Sequence, residues 1–93
     1  MIASFRSRSL KRYWTKGDDS GIRADWRVKV RLILSRLDAA DSPGAMNSPG
    51  LGFHRLTGDL VGRYAVTVSR NWRITFSWSG EDAMDVDLED YHG

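Results

Sequence analysis

The sequence of 93 residues predicts an α+β fold. Two N-terminal helices pack on one face of a small antiparallel sheet, in the order β-α-α-β-β-β-β. Three observations predict it. Apolar residues recur at helical spacing up to residue 40 and at strand spacing after residue 50. Trp72, Ile74, Phe76 and Trp78 alternate with Arg73, Thr75 and Ser77, which puts four large apolar side chains on one face of a central strand. The last three alternating runs are joined by turns too short for a crossover, so they form an antiparallel meander. A strand, two helices and then strands pack as two layers.

Met1–Phe5 is short and apolar and reads as a first strand. The first helix is expected from about Ser7 to Lys16. Leu10, Tyr13 and Trp14 stand at i, i+3 and i+4, Ser7 or Ser9 caps the start, and Gly17 follows a terminal lysine. The second helix is expected from near Ser20–Arg23 to Ala40. Trp26, Val30, Ile33, Leu37 and Ala40 form its buried stripe, and Asp41-Ser42-Pro43-Gly44 ends it because proline cannot continue a helix. Residues 41–50 hold two Pro-Gly turns and read as a loop. Leu51–Leu56 is a candidate strand closed by Thr57-Gly58-Asp59. Tyr64, Val66 and Val68 alternate in the next. Met84, Val86 and Leu88 alternate with Asp85, Asp87 and Glu89 in the last. The helices are expected to cover the Trp72/Ile74/Phe76 face and to leave the other face open and polar.

A chain of this length is expected to make one domain spanning residues 1–93. It has no cysteine, so disulfides and thiolate metal sites are excluded. No apolar run approaches a membrane span and the N-terminus lacks the apolar core of a signal peptide, so the expected location is the cytoplasm. The net charge of +2 hides an asymmetry. Residues 1–40 carry ten Lys/Arg against four Asp, and residues 41–93 carry four Arg against eight Asp/Glu. A basic half is the usual electrostatic footprint of a nucleic-acid partner. Solvated helix faces would give the same composition, and both readings stay open for Arg8, Lys11 and Arg12 and for the row Arg23, Arg27 and Arg31.

Arg73 projects among small hydroxyls on the face away from the helices. It suits a phosphate, or it pairs with an acidic neighbour across the sheet. The chain has two histidines, His54 and His92, and ends in Asp90-Tyr91-His92-Gly93. If that tail lies beside Arg73, histidine, aspartate, tyrosine and arginine converge. That inventory suits metal-free RNA cleavage, which needs a base for the ribose 2′-OH, an acid for the leaving 5′-oxygen and a cation on the phosphate. An aromatic ring adds a stacking surface for a splayed base. No zinc spacing, Gly-rich phosphate loop or Gly-x-Ser-x-Gly is present.

Several stretches carry a family resemblance. They are Lys16-Gly17, Ser20-Gly21-Ile22-Arg23, Leu37-Asp38-Ala39-Ala40, Asn47-Ser48-Pro49-Gly50 and His54-x-Leu56-x-Gly58-Asp59. Ser69-x-Asn71-Trp72-Arg73-Ile74-Thr75-Phe76 and Asp85-Val86-Asp87-x-x-Asp90-Tyr91-His92-Gly93 complete the set. The sequence resembles the HigB toxins of the RelE superfamily over nearly its whole length. The resemblance implies a ribosome-dependent mRNA endoribonuclease that cuts in the A site by 2′-OH attack, without metal or cofactor. It implies a HigA-like helix-turn-helix antitoxin as partner, and operator DNA bound only through the toxin–antitoxin complex. By position it assigns function to His54, Arg73, Asp90, Tyr91 and His92, and it turns the basic helix residues and Arg55 toward ribosomal RNA. The family often reads His-Pro-Leu-Lys-Gly-Asp where this chain has Arg55 and Thr57. A catalytically weak member that binds ribosome or antitoxin without cutting is therefore the alternative expectation.

Overall fold

The computed structural model describes residues 1–90. Helix α1 spans Arg8–Lys16. Ser7 stands at its N-cap with extended backbone, and its Oγ accepts from the Leu10 N–H at 3.2 Å. Gly17 ends it in the left-handed conformation at φ 69° and donates its N–H back into the last turn. The second helical region starts later than its apolar stripe suggests. A 3₁₀ turn occupies Ala24–Trp26, and helix α2 runs Arg27–Ala39. Val30, Ile33 and Leu37 are buried as expected, and Leu34 joins them. Trp26 lies outside the α-helix and packs its ring 5.3 Å from that of Trp72. The Tyr13 hydroxyl donates to the Arg27 carbonyl at 2.9 Å and pins the start of α2 to α1.

Four strands follow: β1 His54–Arg55, β2 Arg63–Thr67, β3 Trp72–Ser79 and β4 Asp82–Asp90. They form an antiparallel sheet in sequence order. Strand β1 is only two residues long. Gly52 turns the chain at φ 57° before it, and a 3₁₀ turn at Gly58–Leu60 follows it. Both helices and the Val66/Ile74/Phe76 side of the sheet contribute to one buried cluster, and Trp72 and Trp78 pack against it.

The N-terminal strand is a correction. Residues 1–5 run parallel beside β4 but make only two isolated bridges, Ile2 with Ala83 and Phe5 with Val86. The reason lies in β4. Thr75 pairs with Asp87 and Ser77 with Met84, so Phe76 alone opposes both Asp85 and Val86. Asp85 takes φ 51° in this bulge, and its N–H donates to Ser4 Oγ at 2.8 Å rather than to the backbone. The bulge also reverses the alternation expected for β4. Ala83 and Val86 are three residues apart, yet both are buried in the core. Met84, expected to share a face with Val86 and Leu88, is registered with Ser77 on the opposite face.

Candidate functional site

Strand alternation and register place a row of polar side chains on the face away from the helices. Arg63, Ala65 and Thr67 come from β2, Arg73, Thr75 and Ser77 from β3, and Asp87 and Glu89 from β4. His54 is registered with Ala65 and therefore joins them. Arg55 is registered with Tyr64 and takes the other direction, so its charge does not stand in for a group beside His54.

This face is less open than expected. Thr75 is 1% exposed and Arg63 7%. Ala65 has no accessible surface although it lies outside the core cluster. The interior of this face is held by a hydrogen-bonded chain. Arg63 Nη2 donates to Thr75 Oγ1 and to the Asp85 carbonyl, each at 2.9 Å. The Thr75 hydroxyl in turn donates to Glu89 Oε2. Arg63 Nε and Nη1 are buried with no hydrogen-bond partner among the described residues. Burial pushes the Arg63 guanidinium below its usual pKa, and the Arg6 cation adds to that; Glu89, Asp87 and Asp85 oppose it. None of Arg63, Thr75 and Glu89 stood out in the sequence. Arg63 alternates with Tyr64 and Val66 and so falls on the polar face, but nothing local shows that it is buried, and the pairing of Glu89 depends on a register that one strand alone does not carry.

Arg73 is half-buried and stands directly opposite Glu89 across β3–β4. An acidic cross-strand neighbour therefore exists. His54 is half-buried, and its Nδ1 lies 2.9 Å from the Gly52 carbonyl oxygen. A carbonyl oxygen only accepts, so Nδ1 is the donor in this contact and proton exchange by the ring falls to Nε2. The Cα atoms of His54 and Arg73 are separated by two strand spacings and two residues along the strand, about 12 Å. Their side chains have to close that distance around a bound group.

Asp90 is registered with Trp72, which packs toward the helices, so alternation takes it away from Arg73. The carboxylate in the Arg73 row is that of Glu89. Tyr91 and His92 lie outside the described residues. No three His, Asp or Glu side chains gather as metal ligands among the described residues, and no described helix is long and apolar enough to cross a membrane.

The basic residues of the helices divide. Arg8, Lys11, Arg12, Thr15 and Lys16 line one groove of 230 Å³ along α1, and Lys11 and Arg12 are exposed. The row Arg23, Arg27 and Arg31 does not survive as a rail. Arg23 precedes the helix, donates from Nε to Asp25 Oδ1 at 2.8 Å, and lies 5.4 Å over the Trp26 ring. Arg27 Nε donates to the Ile22 carbonyl at 2.9 Å, with Asp19 3.7 Å from Nη1. Arg31 lies beside Tyr13, Trp14 and Gly17 at a 320 Å³ cavity. The spacing of four was right for one helix, but the chain is not α-helical at residue 23.

Residues 3–92 match the family of HigB-like toxins, described as the RelE-like toxin of type II toxin–antitoxin system HigB. A curated protein of Proteus vulgaris, "Endoribonuclease HigB", is 38% identical over 92 residues, covering 99% of this chain and 100% of its own length.

Proposed function

This chain belongs to the HigB-like toxins, RelE-like toxins of type II toxin–antitoxin systems, whose members have an antitoxin as partner, and we propose from that premise that it is a metal-independent mRNA endoribonuclease. The observation that carries the chemistry is the shared face of His54 and Arg73. A phosphodiester bound there meets a guanidinium that offers paired donors to its oxygens. Nε2 is the nitrogen through which His54 exchanges a proton, because Gly52 holds Nδ1 as a donor. In-line attack of a ribose 2′-OH on the adjacent phosphorus forms the new P–O bond. The base takes the hydroxyl proton, the 5′-oxygen leaves with a proton from an acid, and Arg73 stabilises the charge on the non-bridging oxygens. The products are a 2′,3′-cyclic phosphate and a free 5′-hydroxyl.

The resemblance of the terminal Asp-Tyr-His supports His92 as the second proton-transfer group, with Asp90 orienting a histidine and Tyr91 positioning a base. Arg73 lies opposite Glu89 and Asp90 opposite Trp72, so within the pairing of β3 and β4 the orienting role for Asp90 rests on the resemblance alone. The same reading puts the cut in the ribosomal A site, with the α1 residues Arg8, Lys11 and Arg12 against ribosomal RNA. It makes the antitoxin a HigA-like helix-turn-helix protein that brings the pair to operator DNA. Thr57, where related toxins often carry lysine, favours a second reading in which the chain binds the ribosome or the antitoxin without cutting. Residue 57 is exposed, so a lysine there would add a mobile cation rather than complete a buried pair.

Brief expression followed by mapping of mRNA 5′ ends separates the two. Cuts in phase with the reading frame are expected, and Arg73→Ala is expected to lower their frequency at least about a hundredfold, the scale of losing one charge-stabilising donor. Growth arrest with intact transcripts would leave only the binding reading.

A further inference from the structure

Glu89 stands in the Arg73 row and is the terminus of a chain that begins at a buried arginine. Arg63 is anchored by the Asp85 carbonyl and donates to Thr75 Oγ1. With that lone pair occupied, the single hydroxyl proton of Thr75 turns to Glu89 Oε2. Arg63 and Thr75 are almost wholly shielded from water, so the polarity of the chain is set inside the protein rather than by solvent. A carboxylate facing an arginine across a strand pair otherwise closes on it with two parallel hydrogen bonds. A guanidinium so engaged has lost the paired donors that a phosphate needs.

We propose that Thr75, buttressed by Arg63, is a positioning residue that ties down one oxygen of Glu89 and so prevents Glu89 from clasping the Arg73 guanidinium with both. The carboxylate stays across the strand from Arg73 as a counter-charge. This deepens the nuclease reading of the same face and rests on it for its substrate.

The test compares Thr75→Val, Thr75→Ser and the double variant Thr75→Val/Glu89→Gln in the purified chain. Cleavage of mRNA on ribosomes, affinity for a short single-stranded RNA by fluorescence anisotropy, and the thermal unfolding midpoint are read for each. Thr75→Val releases Glu89 onto Arg73, so KM is expected to rise and RNA affinity to fall about tenfold, the effect of redirecting one charge-assisted hydrogen bond. Thr75→Ser keeps the hydroxyl and is expected to retain most of the affinity. In the double variant the side chain at position 89 no longer competes as a carboxylate, and affinity is expected to return even though stability does not. Failure of Glu89→Gln to restore affinity would overturn the proposal, as would a Thr75→Ser loss equal to that of Thr75→Val. If the unsubstituted chain does not cut mRNA, the nuclease reading falls while the affinity series still decides the positioning role.

Discussion

Gly52 shows how much of the candidate site depends on single backbone positions. Its φ of 57° suits glycine, and a Cβ there would lie 2.8 Å from Thr67 Oγ1. Its carbonyl also receives the His54 Nδ1 proton. Gly52→Ala is therefore expected to destabilise the protein by about 1–3 kcal/mol, the cost of a strained residue plus a close approach. It is also expected to weaken RNA cleavage beyond what that loss explains, because the imidazole shifts with the loop. Denaturant unfolding alongside a cleavage assay checks both. The residues around Gly52 give it no particular mark in the sequence. Its importance comes from Thr67, fifteen positions along the chain, and no local pattern records that approach.

Among the elements, α1 is the most self-sufficient. Its cap, its apolar stripe and its terminating glycine are all local, and the observed Arg8–Lys16 lies within one residue of the expected span. The turn after it carries its own titrating group. Asp18 accepts from the Ser20 N–H at 3.0 Å. Hydrogen bonds from the Ser20 side chain and backbone hold its carboxyl below the ordinary aspartate pKa, with Arg12 and Lys16 adding to the effect. A depressed carboxylate contributes stability that is present above its unfolded pKa and is lost as pH falls through the lower folded value. The residue is fully exposed, so the effect is small. A carboxyl-carbon NMR titration is expected to place the Asp18 midpoint below that of the same residue in Ser20→Ala. Strand β4 is the opposite case. Its alternation was legible, but the bulge at Asp85 was not, because a bulge is a mismatch between two strands and neither strand alone contains it.

Across the whole molecule the charge asymmetry resolves into unequal parts. Arg27 and Arg23 are engaged by carbonyl and carboxylate oxygens, Arg63 is buried in the sheet, and Lys11 and Arg12 of α1 remain at the surface. On the polar face Arg6, Arg63 and Arg73 stand among Asp85, Asp87 and Glu89, so the excess of positive charge lies on the helical side. Replacing Arg8, Lys11 and Arg12 together by alanine is expected to weaken association with ribosomes or single-stranded RNA while leaving the unfolding midpoint nearly unchanged. The log–log salt dependence is expected to flatten by about 2, at roughly 0.7 for each phosphate that is no longer neutralised. An unchanged slope would show that these side chains meet no phosphate.

By itself the sequence determined the two helices, the meander, the apolar side of β3, and the presence of Arg73 on its other side. These follow from periodicity and caps, which act over a few residues and are written locally. The tertiary structure decided which carboxylate faces Arg73, that His54 shares its face, that Arg63 and Thr75 are buried behind it, that Asp90 is registered with Trp72, and that residues 1–5 pair with β4 as two isolated bridges rather than a continuous strand. Those outcomes depend on register and on a bulge, which exist only once two distant segments are paired.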